Sequence, residues 1–444
     1  MRKASIFGVG GIAGTIGSAS LLRGENAVPS GGVLRFVCIS DTHLGHGKAA
    51  QKTARALKVL TSKTPVDNVF VVGDFTNTAR EAEYDQLLAV FRDPANLSGD
   101  IPVRYITGNH DNHDGKNSLP RYIRKIGQEN NEYAEIKGYP FISAGMTGSN
   151  TPTVYDDTTR SFLRQSLADA AAKYAGKPIF VFAHIPAPNT CYGSRHWHAA
   201  KHLDGIFDKY PQAILFTGHS HAPVSHQASI WQGTFTAVND GHITNTDNIS
   251  VDKEDGVTTP DGKLTDTPGR YEDVSEGLLV SVLADGSVEI QRWDVHRDIE
   301  ILPRWQVAAP HDGSRFAYRP DSPKPPAPEF DASVSPSIKT GGGIVTVIIP
   351  QAQPSLSVLR YQVNVFRGKS EHTGGVALKE AKHIEDKPVA SSGPFSFYYL
   401  TADQPKTVEA VFKNLPSGEP LYVCITAIDH FGTPSKRTWF LDVV

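Results

Sequence analysis

The chain has 444 residues, 39% of them hydrophobic and 20% charged, with a formal net charge of −3. That length allows two domains with packed cores, and the near-neutral balance leaves no basic field to attract a nucleic-acid polymer or an anionic membrane. Three cysteines allow at most one disulfide, and none falls in a spacing typical of a zinc site or a nucleophile.

In chain order, Arg2 and Lys3 precede a mildly apolar stretch from Ala4 to Leu22, with small residues at Gly17-Ser18-Ala19. Residues 1–30 therefore read as an export signal or a disordered extension. A signal here places the protein in the periplasm or outside the cell; an extension leaves it in the cytoplasm. Five glycines between Gly8 and Gly17 make the stretch too weakly apolar for a stable membrane anchor. Apolar runs over Val33–Ser40, Val69–Val72, Val103–Thr107, Ile179–Ala183 and Ile214–Thr217 have the length of buried strands. Between them, apolar residues three and four apart predict helices over Ala49–Thr61, Arg80–Phe91, Arg160–Tyr174 and Ala199–Lys209. This alternation predicts an α/β layer architecture.

From Thr234 the pattern changes to strands, including a hairpin of Gly277–Leu283 and Ser287–Trp293 across Ala284-Asp285-Gly286. The polar segment Asn239–Ser275 is too long for an idle connection and reads as a lid or an insertion, with His242 at its start able to face a site. Its acids, including Asp247, Asp252, Asp255 and Asp261, lack EF-hand spacing. Pro320–Pro328 reads as a stiff linker. The expected organisation is an α/β domain over 31–318, a linker over 319–330, and an all-β sandwich over 331–444, where Tyr361–Phe366 and Tyr422–Ile428 alternate in period two.

Each of the five early strands is followed by a polar block: Asp41-Thr42-His43, Gly73-Asp74, Gly108-Asn109-His110-Asp111, His184, and Gly218-His219-Ser220-His221. Open α/β sheets place their ligands at such strand carboxyl ends. Carboxylate, amide and imidazole donors suit manganese, iron or zinc, and the absence of Cys among them argues against a structural zinc or iron–sulfur site. Two such ions can share one carboxylate and clamp the oxygens of a phosphoryl displacement. Asp74 is the natural bridge.

This ordered set resembles the calcineurin-like metallophosphoesterase superfamily over Leu34–His221. The resemblance implies a two-sheet sandwich flanked by helices and two divalent or mixed-valence transition-metal ions. The first ion would take Asp41, His43, Asp74 and His221; the second would take Asp74, Asn109, His184 and His219. His110 would contact the scissile phosphate and protonate the leaving oxygen, a role that suits an imidazole. Asp111 would orient His110 or serve as a turn or cap residue. The implied reaction is in-line attack of a metal-bridging hydroxide on a small phosphate ester.

Purple acid phosphatases carry Tyr where this chain has Asn77, and lipid-sugar pyrophosphatases carry Arg where it has His110. The remaining similarity is to bacterial class III cyclic-nucleotide phosphodiesterases and their generic neighbours, so a phosphodiester is the expected substrate. Purple-acid-phosphatase-like monoester hydrolysis and a catalytically silent binding or scaffold role are the alternatives. Expected substrate contacts are His110, Asn77, Arg195 and Trp197, the last two in an aromatic, cationic loop spanning Asn189–His202. At the other end, Leu415–Tyr422 followed by Val423-Cys424-Ile425 resembles the corner and sixth strand of a fibronectin type III domain, with Tyr422 as its corner tyrosine.

Overall fold

The computed structural model of the chain describes residues 33–148, 155–194, 199–244, 275–323, 326–353, 358–381, 387–394, 396 and 406–443. The N-terminal stretch, residues 195–198 and residues 245–274 lie outside the described residues, and with them the expected signal, Arg195, Trp197 and the acids of the long polar segment. Among the described residues no helix is long and apolar enough to cross a membrane.

The first sheet is built on β1 (Leu34–Ile39), β2 (Asn68–Val72) and β3 (Val103–Ile106), which run parallel. On its other side β10 (Glu276–Val282), β11 (Val288–Asp294) and β12 (Ile299–Val307) add antiparallel strands, giving the order β12-β11-β10-β1-β2-β3. A second six-stranded sheet has the order β4-β5-β6-β7-β9-β8, formed by β4 (Asn131–Ile136), β5 (Tyr139–Ala144), β6 (Ile179–Ala183), β7 (Ala213–Thr217), β8 (Ile230–Gln232) and β9 (Thr236–Asn239). Its four central strands, β5, β6, β7 and β9, are parallel.

The apolar runs have a simple cause: both faces of the central strands are covered, so they lack the polar alternation of a half-exposed strand. On β1, Phe36 and Cys38 face the second sheet, while Val37 and Ile39 face helices. Phe36 is the centre of the inter-sheet core, with Phe70, Phe141, Phe180, Phe182 and Phe216 arranged edge-on around it at 5.1 to 5.9 Å. Such edge-to-face pairs are favoured by the ring quadrupole. Helices α1 (Ala49–Ser62) and α2 (Glu81–Arg92) cover the outer face of the first sheet through Leu57, Leu60, Tyr84 and Leu87. The helix Asp157–Lys173 covers the second sheet through Leu163, Leu167 and Ala170. Asp156 starts that helix by accepting from the Thr159 N–H at 2.8 Å. The result is the α/β layering expected from the alternation, in the two-sheet sandwich that the family resemblance implied.

One predicted helix is absent. Ala199–Lys209 is not an α-helix; it holds only a 3-10 turn at Lys201–Leu203. Its apolar residues are buried as the spacing required, but Gly205 takes the left-handed conformation (φ +69°) and the backbone closes i to i+3 bonds instead. Conversely, the helix Ser118–Ile126 and the β4–β5 hairpin were not assigned from the sequence. Their signals are short: Gly127 in the left-handed conformation after the helix, and Lys137-Gly138, both at positive φ, in a two-residue turn.

The C-terminal segment forms two antiparallel sheets. One has three strands: β13 (Ser337–Gly341), β14 (Ile344–Pro350) and β18 (Thr407–Lys413). The other has the order β16-β20-β19-β15-β17, from β15 (Val358–Arg367), β16 (Gly374–Ala377), β17 (Ala390–Ser392), β19 (Leu421–Asp429) and β20 (Pro434–Val443). Val347, Ile349, Val363, Val423, Ile425 and Trp439 fill the space between them. Phe330, placed in the linker by sequence, is part of this core. On β19 the inward residues are Leu421, Val423, Ile425 and Ala427, so Tyr422 points to the opposite face, where it stacks on Phe366. Tyr422 is buried there at 4% exposure, while the alternation of β19 gives the side facing the partner sheet to Leu421.

Candidate metal centre

All five polar blocks emerge at the same end of the two sheets. The β1 and β2 loops pair with each other, since Asp41 N–H donates to Gly73 O at 3.1 Å and His43 N–H to Asp74 O at 2.9 Å. Ten described non-glycine residues have positive φ, and Asp41, His43, Asp74, His219 and His221 are five of them. Each such residue costs about 1–3 kcal/mol, and strain of this kind gathers at functional sites.

The glycines of the blocks are explained by close approach. A Cβ on Gly73 would lie 2.2 Å from His184 Nδ1, one on Gly108 would lie 2.2 Å from Asp74 Oδ1, and one on Gly218 would lie 2.5 Å from Asp41 Oδ2. Nothing larger than glycine leaves room for the neighbouring polar side chain.

Two clusters result. Asp41, His43 and His221 bring one ligand atom each within 4.8 Å of one another, and so do Asp74, His184 and His219. His221 Nε2 lies 3.1 Å from Asp41 Oδ1, and His184 Nε2 lies 3.1 Å from Asp74 Oδ2. The clusters adjoin: Asp41 Oδ1 is 3.9 Å from His184 Nε2, and His43 also groups with Asp74 and His110. Asp41 Oδ1 and His184 Nε2 meet only other members of the clusters, and Asn109 Oδ1 is buried without a hydrogen bond. Buried polar atoms are normally paired, and Asn109 is one of the expected ligands.

Supporting hydrogen bonds fix which atoms face the cluster. His184 Nδ1 is 2.7 Å from Val72 O, so Nε2 is the ring atom that faces Asp74 Oδ2. Asp41 Oδ2 accepts from Ser40 Oγ at 2.6 Å and His219 N–H at 3.1 Å. Asp74 Oδ1 accepts from the His110 N–H at 2.8 Å. Burial alone would raise the pKa of both carboxylates, but the His221 and His184 imidazoles hold Asp41 well below its usual range, and His184 does the same for Asp74. Burial opposes a charge on His184, yet Asp74 and Asp41 lift its pKa to about 10. The pocket is therefore anionic at its base, and its nitrogen and oxygen donors match borderline divalent ions. These residues fit a pair of such cations.

His110 lies at the edge, half-buried, with Nδ1 2.7 Å from the Asn77 carbonyl and its ring edge-on to His43 at 4.6 Å. Asn77 thus contributes its backbone to the site. Asp111 does not orient His110. It is fully buried and accepts from Thr76 N–H, Thr76 Oγ1 and Gly108 N–H, each at 2.8 Å, which ties the β2 loop to the β3 loop. Burial, reinforced by Asp74, lifts its pKa to about 7.

His242 is buried beside His221, the rings nearly parallel at 5.7 Å. Three residues escaped sequence reasoning. Ser40 Oγ sits 2.6 Å from both Asp41 Oδ2 and Asp240 Oδ1, and His113 lies 4.3 Å from His110, ring to ring. Only the run Asn239-Asp240-Gly241-His242 carried any signal for the Asp240 contact. All three cysteines are buried and form no disulfide; Cys38 donates to Asp240.

The sequence model of the calcineurin-like phosphoesterase family matches residues 34–223. Among solved structures, a purple acid phosphatase from yellow lupin (Lupinus luteus) seeds is 11% identical with a TM-score of 0.42, over 62% of this chain and 53% of that one. The match thus spans about half of the lupin protein's length. Vps29 of Chaetomium thermophilum is 12% identical with a TM-score of 0.27, over 62% of this chain and 95% of that one. No curated protein matches the chain.

Proposed function

We propose that the calcineurin-like metallophosphoesterase domain at residues 34–223 is a hydrolase of small phosphate esters, phosphodiesters foremost, that works with two divalent transition-metal ions. The observation that carries this reading is the pair of adjoining buried clusters, Asp41–His43–His221 and Asp74–His184–His219, with Asn109 Oδ1 unpaired nearby. Asp41, His43, Asp74 and His221 would hold one ion, and Asp74, Asn109, His184 and His219 the other. Manganese, iron or zinc bound there supplies Lewis acidity toward a phosphoryl oxygen and acidifies water.

The chain's own residues do the rest. The Asn77 carbonyl holds the Nδ1–H of His110 and leaves Nε2 to meet the ester, where a protonated Nε2 can deliver its proton to the leaving oxygen. Asp111 keeps the His110 loop and the Asp74 loop in register through Thr76 and Gly108. Ser40 holds Asp41 Oδ2, so that Oδ1 is turned toward the cluster. Arg195 and Trp197 are proposed substrate contacts on the strength of their loop following His184. Residues 1–30 would direct export, and the C-terminal segment would form a fibronectin type III-like sandwich, a reading supported by its three- and five-stranded antiparallel sheets.

The test is turnover of mono- and bis-aryl phosphates by the manganese-loaded protein. Preference for the bis-aryl ester is the expected result. Preference for the monoester would favour purple-acid-phosphatase-like chemistry, and turnover of neither would contradict the hydrolase reading.

A further inference from the structure

Beyond His221 the chain runs through Ala222–Ser229, and three separate parts of the protein close on this loop. From the β10–β11 side, Glu276 accepts from Val224 N–H at 2.6 Å and Arg292 Nη1 donates to Val224 O at 2.9 Å. From the loop after His184, Tyr192 stacks on His226 with rings 3.5 Å apart and nearly parallel, and its N–H donates to Ala228 O at 2.8 Å. The third contact comes from the C-terminal sandwich. His430 stacks on the His226 ring at 4.2 Å, and its Nδ1 accepts from the Gln227 N–H at 3.3 Å.

His430 is presented rigidly. It occupies the turn between β19 and β20, where Asp429 Oδ1 accepts from Phe431 N–H at 2.8 Å and Thr433 N–H at 2.7 Å. It is also buried, at 5% exposure, so the contact excludes water. Tyr192, His226 and His430 form a continuous three-ring stack whose two ends belong to a loop beside the metal centre and to the sandwich. The near end reaches the residue between two of the proposed ligands. Gly193, next to Tyr192, packs so tightly on Ser220 that a Cβ there would lie 2.3 Å from Ser220 Oγ, and Ser220 stands between His219 and His221. Asn239 Nδ2 holds that same Oγ at 2.7 Å.

We infer that the C-terminal sandwich is a working part of the metal centre, with His430 as a positioning residue that holds, through His226 and Tyr192, the loop presenting His219 and His221. The inference rests on the dinuclear reading above. Without the third ring, the loop after His221 is gripped from two sides, and the Tyr192 loop loses the far wall of its stack. Residues that orient metal ligands from behind typically govern affinity by about 10- to 100-fold, so the sandwich would tune metal binding without touching a metal.

The experiment uses the full chain. Amide hydrogen exchange and Mn²⁺ binding are compared for wild type, His430→Ala, His430→Phe and, as a control inside the sandwich core, Val363→Ala. His430→Ala should speed exchange across residues 189–194 and 222–228 and weaken Mn²⁺ binding about tenfold or more. His430→Phe preserves the stack and should recover most of both effects. Val363→Ala should lower thermal stability and move neither. Wild-type exchange and Mn²⁺ affinity in His430→Ala would overturn the inference, as would faster exchange with unchanged affinity, or equal effects from Val363→Ala. A wild-type chain that takes up no Mn²⁺ instead refutes the dinuclear reading, and the exchange data still decide whether His430 holds the loops.

Discussion

Replacing Glu276 by Gln should remove a large loss of stability between pH 4.5 and about 8. Glu276 opens β10 fully buried, with Oε2 accepting from Val224 N–H and Oε1 accepting from Ser225 Oγ at 3.0 Å. Burial, with the Asp294 carboxylate adding to it, pushes its pKa from an ordinary 4.5 up to about 8. The folded protein therefore holds a proton that the unfolded chain has already released. Stability from this group is complete below pH 4.5 and is lost as the pH rises through about 8. At about 1.36 kcal/mol per pK unit, that window corresponds to at most about 5 kcal/mol. The amide introduced by Glu276→Gln can still accept from Val224 N–H and can donate to Ser225 Oγ, but it has no proton to lose. Urea unfolding from pH 5 to pH 9 should find the two proteins within about 1 kcal/mol at the acid end and the variant about 3–5 kcal/mol more stable at the alkaline end. Parallel stability curves would refute the assignment of a buried, neutral Glu276.

Four further outcomes follow. Gly108→Ala drives a Cβ to 2.2 Å from Asp74 Oδ1 and 2.6 Å from Asp74 N, so about 1–3 kcal/mol of stability and most of the bound metal should be lost, as read by thermal unfolding and elemental analysis. His110→Gln should lower turnover about 100-fold or more with metal content unchanged, and the loss should shrink for esters with very good leaving groups. Asp111→Asn turns an amide NH₂ toward Thr76 or Gly108, so it should cost about 1–3 kcal/mol in a thermal melt; a defect that follows leaving-group pKa as His110→Gln does would instead place Asp111 in the chemistry. A chain ending near Pro320 should bind Mn²⁺ more weakly than the full chain, although the proline-rich linker taken alone suggests an independent module.

The centre was legible because its parts are local. Each ligand block directly follows a strand whose two buried faces leave an uninterrupted apolar run, so the sequence order of blocks carries the spatial order of loops. Residues that act across distance were not. Asp111 and Thr76 are 35 positions apart and His430 and Gln227 are 203 apart, and nothing in the local pattern of either partner announces the other. Ala199–Lys209 misled for a different reason: helical spacing reports which residues are buried, and a chain broken at Gly205 buries the same ones. On β19 both faces are buried, so which residues meet the partner sheet depended on that sheet, and Tyr422 packs on the opposite face against Phe366 and Phe440.

The central claim is that Asp41, His43, Asp74, Asn109, His184, His219 and His221 hold two ions around a shared Asp74. Elemental analysis of the purified, active full chain and of Asp74→Ala measures this directly. The account predicts two transition-metal ions per chain in the wild type, with both ions lost or sharply depleted in the variant and phosphoesterase activity abolished. Active wild-type protein carrying one ion or none, or an Asp74→Ala variant that keeps two, would contradict it.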